Sequence, residues 1–174
     1  MHHFGAFFRG EAFPFHTMEL SVIDHDILPG IEALLSSADL PAKTSVEVRR
    51  IGTSDEMVGL IIDRIVIGEK TMTYTLPWLR TRECLPPSKA GDCIVALNGA
   101  GQPELLLRLT RVKNMLFGEM TEQDIAEEGK PLRSLEKWQP LHIEVWNEKL
   151  APHKLTVSDS MPVTAEYFKV LSRA

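Results

Sequence analysis

The sequence has little cysteine: Cys84 and Cys93 are the only two among its 174 residues. Two cysteines cannot form a disulfide framework, and the spacing of this pair matches no metal-binding motif. The sequence also lacks an apolar run near the ~18–20 residues that a membrane-spanning helix needs. Its first residues, MHHFGAFFRGEAFPF, have neither the basic start nor the long apolar stretch of a signal peptide. These absences predict a cytoplasmic protein with two reduced thiols, no metal site and no membrane partner.

An excess of positive charge is absent as well. The net charge is −5, so the chain is not a general binder of polyanions. The charge is unevenly placed, however, because residues 64–113 contain eight lysines and arginines against four acidic residues. A local basic face of this kind can attract phosphate groups while the remaining surface repels them. The alternative is a solvated strand edge that lysine and arginine protect from pairing.

Composition and local signals divide the chain into two regions. Hydrophobic residues make up 44% of the sequence, which is enough for a sizeable core. Residues 1–45 are predicted to be an N-terminal accessory segment, with a cluster of phenylalanines, one short helix at Ile31–Leu35 after Pro29-Gly30, and a connector. Residues 46–174 are predicted to form one organised domain.

The first half of this domain alternates strand and helix signals. A short strand is predicted at its start, around Val46. A helix is predicted from Ser54 to about Ile67, because a capping residue and acidic residues precede it and Gly68 follows it. Its predicted buried residues are Met57, Ile61 and Ile65. Residues 69–76 alternate threonine with larger apolar residues, which predicts a strand that carries Thr71, Thr73 and Thr75 on one face.

The second half contains a hairpin, two helical stretches and a closing strand. Residues 77–87 carry three prolines and are predicted to be a loop. Residues 92–97 and 104–112 are apolar runs around a turn that begins with Asn98-Gly99, a strong hairpin signal. A short acidic helix is predicted at 121–128, a second helix at 134–149 with a kink or restart at Pro140, and a strand at 161–170. This mixture predicts the α+β class, as a small mixed β-barrel flanked by short helices.

Four short segments resemble, in order, the motifs of the ASCH domain family. GEKTMT at residues 68–73 is similar to the G-x-K-x-x-T motif that opens the domain, and Gly-Asp at 91–92 begins the hairpin. The acidic run TEQDIAEEG at 121–129 is similar to the family's acidic helix. RSLEKWQPLH at 133–142 resembles the R-S-L-x-x-W-x-x-x-H stretch of the larger bacterial branch. The resemblance covers roughly residues 46–170 and leaves the first 45 residues unexplained.

This resemblance implies a PUA-like β-barrel whose cleft handles RNA or a nucleoside. Some family members are described as amidohydrolases of N4-acylated cytidine, others as ribonucleases, and others only as RNA-binding modules. Lys70, Thr73 and Glu128 match the positions that have catalytic roles in the amidohydrolase members. Ser134 falls where the ribonuclease-like branch has a functional serine.

Four residues are predicted to bind substrate: Trp78, Arg108, Ser134 and His142. Trp78 can stack on a base and Arg108 belongs to the basic window, so we expect one of these two at the wall of the cleft. Three of the four also have ordinary structural explanations, and that of Trp78 is a side chain that plugs the barrel. Ser134 is a suitable helix N-cap, and a histidine on an apolar helix face such as His142 is typical of a core.

The chemistry restricts what the three candidate catalytic residues can do. Amide hydrolysis needs a nucleophile, a base that deprotonates it and an acid for the departing amine. Lys70 can be the base only if its pKa falls well below ~10.4. Alternatively, Lys70 stays protonated and stabilises an oxyanion or a phosphate, while Glu128 transfers the protons. The second assignment, with Lys70 protonated and Glu128 transferring the protons, is physically easier.

Two classes of function remain open from the sequence. The first is a hydrolase that acts on an acylated pyrimidine nucleoside or on RNA, and the second is a non-catalytic RNA-binding module. The expected partner is RNA or a modified nucleoside, and neither DNA nor a membrane. No cofactor is expected, and a divalent metal enters only if the protein is a ribonuclease. Convergence of Lys70, a hydroxyl and Glu128 would favour catalysis, whereas basic and aromatic groups spread along a groove would favour binding.

Overall fold

The computed structural model describes residues 25–41 and 44–174, so the predicted phenylalanine cluster lies outside the described residues. The elements follow in the order α1 (Leu28–Ser36), β1 (Val46–Arg50), α2 (Asp55–Val66), β2 (Met72–Thr75), α3 (Pro77–Arg82), β3 (Cys93–Leu97), β4 (Pro103–Leu116), α4 (Leu135–Leu150) and β5 (Pro162–Arg173). In the part of the chain that is described, no helix is long and apolar enough to cross a membrane.

The strands form one mixed sheet in the order β1-β3-β4-β5-β2. β1 and β3 are parallel, and the other neighbouring pairs are antiparallel. The sheet curls into a half-barrel with short helices around it, which confirms the predicted α+β, PUA-like fold. The predicted hairpin of β3 and β4 is also confirmed. Its turn is closed by the side-chain oxygen of Asn98, which accepts hydrogen bonds from Ala100 N and Gln102 N at 3.0 Å each.

The predicted helix α2 is confirmed, with a correction to its buried face. Ser54 caps it by accepting a hydrogen bond from Met57 N at 3.1 Å, and Gly68 ends the following turn at a φ of +72°. Its buried residues are Val58, Ile62 and Ile65. Met57 and Ile61 were predicted to be buried but are only half-buried. Ile65 is buried as predicted, whereas Val58 and Ile62 take the places of Met57 and Ile61. The buried stripe is therefore shifted by one residue at two of its three positions, and the side chains of Met57 and Ile61 line a cleft instead.

Two further predictions of secondary structure are wrong. Residues 77–82 form the helix α3 rather than a loop, because Pro77 occupies the first turn, where a missing N–H costs nothing. Residues 121–128 form a series of turns rather than a helix. Asp124 accepts hydrogen bonds from the backbone and hydroxyl of Thr121, and this side-chain bonding competes with a helical backbone.

Helix α4 runs without interruption through Pro140, so the predicted restart at that residue is wrong. Proline removes one backbone hydrogen bond there, to the carbonyl of Glu136. Glu136 is exposed, so water can bond that carbonyl instead. The buried face of the helix, with Trp138, Trp146 and Leu150, packs on Phe117 and Val163 and stabilises the helix despite the proline.

Two helices cover the two faces of the sheet. α2 packs on one face through a cluster that includes Ile94 and Leu107, and α1 packs on the other through one that includes Val95 and Leu106. α1 begins at Leu28 and contains the predicted turn residues Pro29 and Gly30 within its first turn. Because α1 shares a core with the sheet, part of the segment 1–45 is packed onto the domain. The domain boundary near residue 45 stays a prediction.

Candidate functional site

A turn after α2 delivers Lys70 and Thr73 to the same side of the molecule. The backbone N–H groups of Glu69 and Lys70 both bond to the carbonyl of Arg64, at 2.9 and 3.1 Å, which closes the turn at Gly68. β2 then begins, and Thr73 lies on it opposite Glu166 of β5. Lys70 and Thr73 are both buried, at 6% and 7% exposure.

The turns at 121–128 deliver Glu128 from the other direction. The carbonyl of Glu127 accepts a hydrogen bond from Thr71 N at 3.0 Å, and the carbonyl of Glu128 accepts one from Arg133 Nε at 2.6 Å. These two bonds fix the segment between the start of β2 and the start of α4. The Glu128 side chain consequently points inward, and the residue is 2% exposed.

The ammonium group of Lys70 donates a hydrogen bond to Glu128 Oε2. The indole N–H of Trp138 lies 3.4 Å from the other carboxylate oxygen, Oε1. Removing a lysine and a glutamate from water costs several kcal/mol per ion, which their mutual attraction only partly offsets. A protein that needed only a packed core would be about as stable with apolar side chains here, so this pair is a candidate for a functional role.

The pair opens onto a cleft of about 400 Å³ between β2, α2 and α4. Lys70, Thr73, Glu128 and His142 all line this cleft, so the structure brings together four of the residues singled out in the sequence. Their catalytic and binding roles stay predictions. The volume lies in the range of small-molecule sites. Within residues 25–41 and 44–174, no group of three or more histidine, cysteine or acidic side chains could hold a metal ion.

His142 lines the cleft with its ring held by Trp138. Its ring stacks on Trp138, with centroids 3.9 Å apart, and its Nδ1 lies 2.9 Å from the Trp138 carbonyl. A carbonyl can only accept, so Nδ1 carries the proton and Nε2 keeps its lone pair. Burial lowers the pKa of His142 to about 4, against the opposing effects of the carbonyl and of Glu128. The ring is therefore neutral at neutral pH and offers an acceptor to a ligand.

Three other predicted residues lie outside the cleft lining. Trp78 is 39% exposed on α3, where its ring contacts His153 at 5.0 Å between centroids. Arg108 lies on β4 opposite Cys93, on the sheet face that α1 covers in part. Ser134 is the N-cap of α4 but makes no side-chain capping bond. The expectation that Arg108 or Trp78 forms the wall of the cleft is not met, because neither strand pairing nor helix packing turns them toward it.

A charged cluster that the sequence did not single out forms part of the cleft wall through Glu47, Arg49 and Arg80. Arg49 bonds Glu166 at 2.5 Å and Glu47 at 2.9 Å, and Arg80 bonds Glu47 at 3.1 Å. Burial would raise the pKa of Glu47, but its bonds to Arg49 and Arg80 outweigh that effect and lower it. Burial would likewise lower the pKa of Arg49, and the two carboxylates instead raise it. Two cations and two anions thus balance one another in this wall.

The signal for part of this cluster was present in the sequence. In the strand VEVRR the polar residues Glu47 and Arg49 alternate with valines, and period two places them on one face. The position of Glu166, 117 residues away in sequence from Arg49, has no comparable local signal.

Comparisons with known proteins identify the family of the chain and structures of similar fold. The family model described as ASCH domain matches residues 48–172. None of the curated proteins is significantly similar to the chain in sequence.

Solved structures of similar fold include an ASCH domain from Lactobacillus crispatus JV V101, which is 21% identical with a TM-score of 0.75. The similarity covers 88% of this chain and 99% of that one. A protein from Enterococcus faecalis V583 is 26% identical with a TM-score of 0.67, over 83% of this chain and 85% of the other.

Proposed function

The chain belongs to the ASCH domain family, and we propose on that premise that it hydrolyses the amide of an N4-acylated cytidine-like nucleoside. The observation that carries this proposal is the buried contact between Lys70 and Glu128 in a cleft that Thr73 also lines. A carboxylate can transfer the protons of amide hydrolysis, an ammonium can stabilise the oxyanion, and a hydroxyl can serve as the nucleophile. Because Lys70, Thr73 and Glu128 are buried, each of these groups acts more strongly on a reacting amide than it would in solution.

The pairing of three of the cations in the cleft favours an uncharged ligand beside them. Arg49 and Arg80 are neutralised by Glu166 and Glu47, and Lys70 is neutralised by Glu128. A phosphate would have to compete with a carboxylate already in place for each of these cations. A nucleoside carries no such charge, and a cleft of about 400 Å³ has the size of a small-molecule site.

The reaction divides between the three residues. The Glu128 carboxylate accepts a proton from the nucleophile, which is a water molecule or the hydroxyl of Thr73. The nucleophile forms a bond to the acyl carbon, and the ammonium of Lys70 donates a hydrogen bond to the oxyanion that develops there. The C–N bond then breaks, and the protonated Glu128 returns its proton to the departing amine. If Thr73 attacks, an acyl ester forms first and water hydrolyses it in a second step.

Release of cytidine and acetate from N4-acetylcytidine tests the proposal. We expect the wild-type protein to release both, and Glu128→Gln and Lys70→Met to lose at least about 100-fold in turnover. Thr73→Val should lose a similar amount only if its hydroxyl attacks. Lys113→Met is the matched control, because Lys113 also pairs with a carboxylate but does not line the cleft. Absence of turnover by the wild-type protein would reject the proposal.

One observation favours a second function, a non-catalytic RNA-binding module. Arg108 and Lys169 lie directly opposite each other on β4 and β5, and neither has an acidic partner in residues 25–41 and 44–174. Like charges opposed in this way are unfavourable and would be relieved by phosphates. Binding of a short single-stranded RNA that weakens with salt, with a slope reduced by about 0.7 for each charge removed, would support this function. It would replace the hydrolase if no acylated nucleoside is turned over.

A further inference from the structure

Strand β2 presents a second threonine to the cleft, at Thr75, two residues after Thr73. The hydroxyl oxygen of Thr75 is closed off from solvent and has no hydrogen-bond partner among the described residues. It is the one buried side-chain oxygen or nitrogen in residues 25–41 and 44–174 of which this is true. A buried hydroxyl without a partner is unfavourable, and valine has nearly the same shape without that cost.

The neighbour of Thr75 across the sheet shows the contrast. Thr164 of β5 lies directly opposite Thr75, is buried as well, and does not line the cleft. Its hydroxyl donates to the side-chain oxygen of Asn114 at 2.7 Å. Two threonines at the same level of the sheet therefore differ, because the Thr164 hydroxyl has a hydrogen-bond partner in the protein and the Thr75 hydroxyl has none. The unsatisfied one is the one beside the cleft.

We infer that Thr75 is a specificity-determining residue, whose hydroxyl bonds a polar edge of the bound nucleoside base. This inference rests on the proposed function. Thr75 is partly exposed although its hydroxyl oxygen is not, so a rotation about its χ1 bond brings the hydroxyl to the exposed side of the residue. The bond to the ligand then replaces the missing bond in the free protein.

The spacing along β2 sets the direction in which the ligand lies. Residues two apart on a strand are about 7 Å apart and point to the same face. The reacting amide lies at Lys70 and Thr73, so a group bound by Thr75 lies about one pyrimidine ring farther along the strand. The C2 carbonyl oxygen on the far edge of a cytosine base is such a group, and a hydroxyl can donate to it.

The test uses Thr75→Val, Thr75→Ser and Thr164→Val in the full chain. Thr75→Val removes an unsatisfied hydroxyl, so we expect its thermal midpoint without ligand to rise by roughly 2–4 °C. Binding of cytidine and N4-acetylcytidine should weaken about tenfold, the value of one hydrogen bond. Thr75→Ser keeps the hydroxyl and should retain binding. Thr164→Val loses a satisfied bond, so it should be less stable than the wild type and bind both nucleosides normally.

The outcomes separate this inference from the proposed function. Two results would overturn the role of Thr75. One is a loss of stability in Thr75→Val similar to that in Thr164→Val, and the other is wild-type affinity of Thr75→Val for both nucleosides. If the wild type binds the nucleosides without hydrolysing N4-acetylcytidine, the hydrolase proposal fails, and weaker binding by Thr75→Val still supports the inference. If the wild type binds neither nucleoside, both are overturned.

Discussion

Two lysine–carboxylate pairs hold the segment 121–128 to the domain, and they differ in their access to water. Lys113 donates to Asp124, and Lys70 donates to Glu128. The Lys113 side chain is 48% exposed and that of Asp124 is 9% exposed, whereas those of Lys70 and Glu128 are 7% and 3% exposed. A pair with one exposed partner gains less from its attraction because water screens the exposed charge. A buried pair has lost the solvation of both charges, and each ion depends on the other.

The difference in exposure indicates that the two lysine–carboxylate pairs have separate roles. Asp124 also accepts hydrogen bonds from Thr121 N at 2.9 Å and Thr121 Oγ1 at 2.7 Å, so its carboxylate shapes the turn. Burial tends to raise the pKa of Asp124, but the bonds from Lys113 and Thr121 outweigh this and lower it. Glu128 shapes no turn through its side chain and faces the cleft instead. The pair that is costly to bury is thus the one that is placed to act on a ligand.

The largest effect is expected from breaking the buried pair. Lys70→Met should lower the free energy of unfolding by about 3–5 kcal/mol, because it leaves the Glu128 carboxylate buried without its cation. Adding Glu128→Leu should recover most of that stability, since an apolar pair has no solvation to lose. Urea unfolding measures both changes. Equal stability of Lys70→Met and the double variant would show that Glu128 is not dependent on Lys70.

A smaller effect is expected from acid, through His142 beside the buried pair. Its folded pKa of about 4 lies below the ordinary value of 6.5. The unfolded chain therefore takes up a proton first as the pH falls, and stability is lost between about pH 6.5 and 4. The full loss is roughly 3 kcal/mol. Protonation would add a cation next to Lys70 in a site that already excludes water.

Urea unfolding of the wild type and of His142→Gln at several pH values tests this. The variant loses the ring stacked on Trp138, so we expect it to be less stable at pH 7. It should also lose less stability between pH 7 and 4.5 than the wild type does. Parallel pH dependence of the two proteins would assign the acid sensitivity to other groups.

The fold was predictable where a local signal specifies a local structure. The Asn98-Gly99 turn, the Ser54 cap and Gly68 each act within a few residues, and the hairpin and α2 follow from them. The buried face of α2 was less predictable. Which of two adjacent apolar stripes faces the sheet depends on how the helix docks, and that is decided by residues far away in the sequence.

The site was predictable in its members but not in its environment. The resemblance singled out Lys70, Thr73 and Glu128, and the structure brings them to one cleft. Nothing in the acidic run 121–129 indicates that Glu128 is buried while its neighbour Glu127 is exposed. That burial arises from contacts with β2 and Trp138, which lie on other elements. For the same reason, Arg108 and Trp78 were assigned to the cleft from their residue types although the packing turns them elsewhere.

The smallest effect is expected from breaking the pair whose lysine is exposed. Lys113→Met should lower the free energy of unfolding by no more than about 1 kcal/mol, because the Lys113 side chain is half exposed and Thr121 still donates two hydrogen bonds to the buried Asp124 carboxylate. Salt makes the comparison sharper. The Debye screening length falls to about 3 Å at roughly 1 M salt, and screening weakens the interactions of exposed charges more than those of buried charges. The difference between Lys113→Met and the wild type should therefore vanish in high salt, while that of Lys70→Met persists. Urea unfolding at low and high salt measures both differences. If Lys113→Met lowers the free energy of unfolding as much as Lys70→Met does, burial does not distinguish the two pairs.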